Sequence, residues 1–238
     1  MGTVALVTGA SSGIGRTTAH RLAQRGATVA ALARRAEALE LVCSEIRSDG
    51  GEAFPVQADL TDPAEAAHAV TRVTAATGRL DMLVNCAGTA LLGPFAAHTP
   101  ARWQALVDTN LTGTLNVSQP ALQHLAAAAA ASWGRKTADL VTVGSTAGRR
   151  SKPNASVYAA TKHAVTAWSD ALRAELAPVG VRVSVVQPGV VDTPLARDLG
   201  ADLDVALAAD EVADAIVYVV TRPAGVTVTE LVVRAASG

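Results

Sequence analysis

Cysteine is scarce. Cys43 and Cys86 are the only two in 238 residues, and they sit far apart. They form no Cys-x-x-Cys pair and no Cys/His cluster, so the spacing offers no zinc site. Free thiols in a reducing compartment are the simplest reading, with a single disulfide as the alternative. The five histidines, His20, His68, His98, His124 and His163, fall in no ligand pattern and read as structural or surface residues; no metal is expected. Charge is also sparse. Only 17% of residues are charged, half are hydrophobic, and the formal net charge is -1. Such a composition supports a buried core rather than disorder. It also lacks the basic excess that nucleic-acid binding requires. No apolar run reaches bilayer length, since the alanine run 126–131 is too short and too weakly apolar. The N-terminus enters a strand-like segment, Thr3–Val7, with no signal-peptide pattern. There is no Pro/Ser-rich linker, no repeat and no long run of one charge. A cytoplasmic protein is expected, with neither membrane nor nucleic acid as partner.

What the sequence does contain is alternation. Short apolar runs at Val4–Val7, Thr28–Leu32, Ala53–Gln57, Met82–Val84, Asp139–Val143, Arg182–Val186 and Glu230–Val233 read as strands, most of them continuous as expected of strands buried on both faces. Helical patterns lie between them at Ile14–Arg25, Ala36–Ser48, Ala64–Ala76, Ala101–Ala131, Tyr158–Leu176 and Glu211–Val220. In the second of these, Ala38, Leu41, Val42, Glu45 and Ile46 share helical spacing. Asp62-Pro63 is a helix-start pair, and Asp210 is a candidate cap for the last helix. The segment 101–131 is too long to stay straight, and Pro120 predicts a kink. Repeated strand–helix–strand alternation implies an α/β fold: a doubly wound parallel sheet of about seven strands with helices on both faces. One domain spanning 1–238 is the economical organisation.

Thr8-Gly9-Ala10-Ser11-Ser12-Gly13-Ile14-Gly15 follows the first strand and opens the first helix. Gly9 can make the tight turn, Gly13 can clear the approach of a pyrophosphate, and Gly15 can let the helix pack on the strand. The helix N-terminus offers unpaired N–H groups to phosphate oxygens. Gly9, Ser11, Ser12, Gly13, Ile14 and Gly15 are therefore candidate dinucleotide contacts in a Rossmann-type fold. Selectivity is read after the second strand, where an acidic residue would bond the ribose 2′-hydroxyl of NAD. This chain has Ala33 followed by Arg34 and Arg35. Guanidinium forks suit a phosphate, so NADP(H) is the expected cofactor, with Arg34 the leading contact and Arg35 the second.

Tyr158 and Lys162 lie four residues apart, on one helix face and one turn from each other. A free tyrosine, with a pKa of about 10, is a poor base near neutrality. A neighbouring ammonium favours the phenolate, so the pair could exchange a proton with a carbonyl or alcohol oxygen. Alone, such a pair reads more readily as an ordinary helix face. Ser145 lies in Val143–Gly148, just after the fifth strand, and its hydroxyl can bond the same oxygen.

The string TGASSGIG, with its Gly-x-x-x-Gly-x-Gly spacing, together with Tyr-x-x-x-Lys, resembles the short-chain dehydrogenase/reductase family. The resemblance runs from Thr8 to about Val233, with the motifs in the family's order. It implies reversible hydride transfer between NADP(H) and a carbonyl/alcohol pair, with Asn110, Ser145, Tyr158 and Lys162 as a catalytic tetrad. It places Asp59 against the adenine, where a simple turn role is the alternative, and gives Leu60 a backbone contact. In Asn85-Cys86-Ala87-Gly88 the family carries a second asparagine where this chain has Cys86. Asn85 is expected to keep a backbone-bracing role, with Ala87 and Gly88 beside the cofactor. Asn110 is expected to hold a water that links Lys162 to solvent, and Lys162 to bond the nicotinamide ribose. Pro188, Gly189, Val191 and Thr193 match the segment that binds the carboxamide.

Residues 194–209 are expected to form the substrate lid; the segment is short and poor in aromatics, which suggests an open, permissive site. Arg149, Arg150 and Lys152 could attract an anionic substrate, or form a solvated loop. The segment from Leu91 to Pro94, the string Ala147-Gly148-Arg149 and the ending Val228–Val233 look most like clavulanate dehydrogenase-like and 3-hydroxy acid dehydrogenase-like reductases. A homodimer or homotetramer is expected by the same resemblance. The rival readings are an NADP(H) sensor without turnover and a structural subunit.

Overall fold

Eight consecutive buried residues, Val181–Pro188, form the longest strand of the sheet. A strand buried on both faces must have helices on both sides, and the computed structural model, which describes residues 2–131 and 134–236, shows them. In chain order the elements are β1 (Val4–Thr8), α1 (Gly13–Gln24), β2 (Thr28–Ala33), α2 (Ala36–Ser48), β3 (Glu52–Gln57), α3 (Pro63–Thr77) and β4 (Met82–Asn85). Then follow α4 (Pro100–Val107), a π-helical turn (Asp108–Thr112), α5 (Gly113–Ala130), β5 (Ala138–Val143) and a 3-10 turn (Thr146–Gly148). The remainder is α6 (Ser156–Leu176), β6 (Val181–Pro188), β7 (Val191–Asp192), α7 (Pro194–Asp198), β8 (Leu207–Ala208), α8 (Ala209–Val220) and β9 (Glu230–Val233).

Among the described residues seven strands form one sheet in the order β3-β2-β1-β4-β5-β6-β9, and every pairing is parallel. One face is covered by α1, α2 and α8, through residues such as Leu22, Val42, Ile46 and Ile216. The other is covered by α3, α5 and α6, through Val70, Val117, Leu125 and Leu172. Chain order reverses between β1 and β4, and that switch point opens a crevice at the carboxyl ends of the strands. This is the doubly wound Rossmann-type architecture expected from the alternation.

Asp62 caps α3, its carboxylate accepting from Ala64 N–H at 2.7 Å with Pro63 at the first helical position. Three local expectations need correction. The long helix changes its winding ahead of Pro120. It opens at the π turn holding Asn110, and α5 runs through Pro120. Burial of Val117, Ala121 and Leu125 on the sheet, at about 1.5–3 kcal/mol for each large side chain, outweighs the proline penalty of about 3 kcal/mol. In α2 the buried stripe is Leu39, Val42, Cys43 and Ile46, while Leu41 is exposed. Finally, Ala208 occupies the cap of α8 and Glu211 reaches back to its N–H at 2.8 Å. Asp210 lies inside the first turn and pairs with Arg21 at 2.8 Å.

The amino ends of the strands carry buried ionic ties. Asp139 lies between the Arg182 and Arg135 guanidiniums, each at 2.8 Å. Burial raises the Asp139 pKa, and the two guanidiniums act against that shift. Arg182 also donates to the Arg222, Pro223 and Val226 carbonyls, locking the segment that leads to β9. Among the described residues no helix is long and apolar enough to cross a membrane.

Candidate active site

The carboxyl ends of β1, β4, β5 and β6 border two joined cavities of about 730 and 690 Å³, each large enough for a drug-sized ligand. The first contains the glycine turn. Gly9 has φ +65°, and a Cβ there would lie 2.8 Å from the Ala87 backbone. A Cβ on Gly15 would lie 2.5 Å from the Gly9 carbonyl. The Thr8 carbonyl at the end of β1 would lie 3.0 Å away, so Gly15 lets α1 pack against both the turn and the strand end, as expected. A Cβ on Gly13 would meet the Thr193 methyl at 3.1 Å, so this glycine makes room for a protein side chain.

Ser12 stands at the cap of α1 without a side-chain cap bond, and the first turn contains no acidic residue. The first N–H groups of that helix therefore lie open on the cavity lined by Gly13, Ile14 and Gly15. An uncapped helix end on a cavity of this size fits a dinucleotide phosphate.

Ser11, Arg34, Arg35, Asp59 and Leu60 line the far end of the same cavity. Arg35 donates to the Ser11 hydroxyl at 3.1 Å, which ties the second arginine to the glycine turn. The Arg34 side chain is 72% exposed, and its guanidinium lies 3.9 Å from the Asp59 carboxylate. Asp59 itself holds a turn, accepting from the Thr61 N–H at 3.0 Å and hydroxyl at 2.9 Å. Burial pushes its carboxyl up, but the Thr61 donors and Arg34 together hold it below the usual carboxylate value. Thus the turn role is built, on a residue that also faces the cavity.

Thr8, at the head of the glycine string, has a role that the string does not announce. Its hydroxyl accepts from the N–H groups of Cys86 and Ala87, at 3.1 and 3.0 Å. This brace fixes the end of β4, the job expected of Asn85. Asn85 instead turns away from both cavities, donating to the Ser118 hydroxyl at 3.0 Å. Cys86, Ala87 and Gly88 do border the crevice. Burial pushes the Cys86 thiol up to about 12.

Ser145, Tyr158 and Lys162 line the second cavity, with Pro188, Gly189, Val191 and Thr193 around them. Lys162 is buried; its ammonium donates to the Val143 carbonyl at 2.9 Å and lies 5.9 Å from the centre of the Tyr158 ring. No group among the described residues is hydrogen-bonded to the Tyr158 hydroxyl. The Ser145 Oγ accepts from the Ala147 N–H at 3.1 Å, which occupies a lone pair and leaves its O–H as the donor. A Cβ on Gly148 would lie 2.7 Å from the Lys162 carbonyl, so the turn after Ser145 presses directly on α6.

The π turn aims Asn110 inward. Its Oδ1 accepts from the Thr89 N–H at 2.8 Å, and its Nδ2 donates to the Thr89 carbonyl at 2.9 Å and the Thr161 hydroxyl at 3.2 Å. A Cβ on Gly88 would sit 3.4 Å from Asn110 Oδ1 and 3.8 Å from Lys162 Nζ. The two side chains thus converge across a residue without a side chain. Thr89 and Thr161, which hold Asn110, carry no motif of their own in the sequence.

The expected lid carries α7 and β8. Thr193 caps α7 at 3.3 Å, and β7 pairs with β8 across Val191 and Leu207. Its residues Leu195, Ala196 and Leu199 border the second cavity.

The chain resembles known proteins along most of its length. The family model described as short chain dehydrogenase matches residues 3–204. An uncharacterised oxidoreductase of Staphylococcus epidermidis is 33% identical over 231 residues, 97% of this chain and 96% of the relative. A short chain dehydrogenase from Burkholderia cenocepacia, solved in complex with NADP, superposes with a TM-score of 0.88 at 34% identity, covering 99% of this chain and 97% of that one. A single-substitution variant of actinorhodin polyketide ketoreductase, solved with NADPH, gives a TM-score of 0.89 at 33% identity, covering 98% and 96%. The chain belongs to the short-chain dehydrogenase family of oxidoreductases.

Proposed function

We propose that this protein is an NADP(H)-dependent carbonyl reductase, acting reversibly on a ketone or aldehyde and the corresponding alcohol. The observation that carries this reading is a juxtaposition. Ser145, Tyr158 and Lys162 line one cavity, which shares Gly88 and Thr89 with a second cavity holding the uncapped glycine turn, Arg34 and Arg35. Relatives of the same fold were solved with NADP and NADPH. The open N–H groups of α1 would bind the pyrophosphate, Arg34 and Arg35 the 2′-phosphate, and Pro188, Gly189, Val191 and Thr193 the carboxamide end. When bound, the cofactor supplies or accepts the hydride.

The protein's own part is to hold the substrate oxygen and move its proton. The Ser145 O–H, freed by the Ala147 contact, donates to the carbonyl oxygen and polarises it. Tyr158 delivers its hydroxyl proton to that oxygen as negative charge develops there. The resulting phenolate lies beside the Lys162 ammonium, whose position is fixed by the Val143 carbonyl. One ammonium hydrogen is spent on that carbonyl, leaving two for ribose hydroxyls or a solvent path past Asn110. Asn110 positions Thr89 and the Gly88 backbone rather than touching the reacting atoms. The whole chain works as one unit, with residues 194–209 closing over the substrate.

The test is NADPH oxidation across a panel of ketones and aldehydes by wild type and Tyr158→Phe. The variant should bind NADPH with unchanged affinity, read by cofactor fluorescence. Its kcat should fall about 10²–10⁴-fold, the usual contribution of a positioned acid. A variant that keeps near-wild-type kcat refutes the assignment.

A further inference from the structure

We infer that the substrate is a carbonyl compound with an apolar chain that ends in an anionic group, a carboxylate or a phosphate; the inference rests on the reductase reading and specifies its substrate class. Two observations about the second cavity carry it. First, its charged lining residues are all of one sign. Arg149, Arg150, Lys152, Lys162 and Arg234 border it, and among the described residues no aspartate or glutamate does. The chain as a whole has 21 acidic and 20 basic residues, so a cavity of ordinary surface composition would show both signs. Lys162 belongs to the catalytic group and Arg149 pairs with Glu230 at 2.6 Å. Arg150, Lys152 and Arg234 have no acidic partner among the described residues. All three are exposed, which places them at the mouth rather than the floor.

Second, the wall between mouth and floor is apolar. Of the ten large apolar side chains left exposed among the described residues, four border this one cavity: Leu92, Val190, Leu195 and Val232. Exposed apolar side chains gathered on one concavity mark a surface that a ligand covers. Polar groups at the floor bind the carbonyl, apolar walls bind carbon, and unpaired cations at the mouth bind an anion. Guanidinium groups serve carboxylate and phosphate alike through forked hydrogen bonds. A neutral or cationic tail would leave those charges unanswered or repelled.

The experiment uses the enzyme with NADPH and a matched series of ketones sharing one alkyl chain and ending in carboxylate, phosphate, methyl ester or trimethylammonium. At low ionic strength kcat/KM for the carboxylate or the phosphate should exceed the ester by about tenfold, expressed mainly in KM, with the ammonium ketone poorest. The better of the two anions identifies the source. The advantage should shrink in 0.5 M NaCl, where charges beyond about 4 Å are screened. In Arg150→Ala/Lys152→Ala and in Arg234→Ala the anion-to-ester ratio should fall toward one. Ester turnover equal to or above that of both anions, or variants that leave the ratio unchanged, overturns the inference while the reductase reading stands. Calorimetric binding of the corresponding hydroxy acid and hydroxy phosphate separates the two ideas where no ketone turns over. Binding lost in the double variant supports the cationic mouth and counts against the reductase reading, and absent binding overturns both.

Discussion

Replacing Arg34 with alanine tests cofactor selectivity at the point where the sequence and structure give it different emphasis. Arg34 is loosely held, 72% exposed and 3.9 Å from Asp59, whereas Arg35 is bonded to Ser11. Removal has two consequences. A charge-assisted contact to the 2′-phosphate is lost, worth roughly 1.5–3 kcal/mol. Asp59 is also left unneutralised, and its carboxylate, held ionised below the usual range, would then repel that phosphate. At roughly 7 Å in water this adds about 0.6 kcal/mol per unit charge. The sum, about 2–3.5 kcal/mol, corresponds to a loss of about 30- to 300-fold in kcat/KM with NADPH. NADH, lacking the phosphate, should lose less than about threefold. Steady-state kinetics with both cofactors, at 50 and 500 mM salt, reads the effect. Adding Asp59→Asn to Arg34→Ala should recover part of the NADPH loss, and the recovery should be smaller at high salt. Equal losses with the two cofactors, or a wild-type preference for NADH, would refute the reasoning.

Three other outcomes are expected. Asp139→Asn leaves two guanidiniums without their buried carboxylate and should destabilise the fold by about 3–5 kcal/mol; calorimetry should show Tm lower by roughly 6–20 °C, and an unchanged Tm would remove the buried tie from the account. With their thiols raised to about 11 and about 12, Cys43 and Cys86 are protonated at pH 8, so iodoacetamide should label native protein slowly and unfolded protein fast, as mass spectrometry can follow; rapid native labelling of Cys86 contradicts this. Thr8→Val deprives the Cys86 and Ala87 N–H groups of their acceptor and should cost about 1–3 kcal/mol. It should also raise the KM for NADPH, and Thr8→Ser should restore both stability and KM.

Patterning by itself determined the layers. Apolar runs marked all seven strands of the main sheet to within one or two residues, most plainly β1 and β6, where burial on both faces leaves no polar alternation to misread; the edge strands β3 and β9 are only partly buried. The glycine turn, Arg34 and Arg35, and the Tyr158 and Lys162 pair were also legible, since each is a short string whose chemistry depends on local spacing. Tertiary structure decided what those strings touch. Asn110 is inward because a π turn opens the long helix there, and Thr89 and Thr161, 21 residues before it and 51 after it, hold its amide. Thr8 took over the bracing expected of Asn85 because the strand order sets β1 beside β4. Arg234, 82 residues from Lys152, joins the same cavity mouth only because β9 adds to the sheet beside β6. Periodicity and spacing act within one segment. Which segments meet depends on the packing of distant strands, and that is where the polar contacts of this site are made.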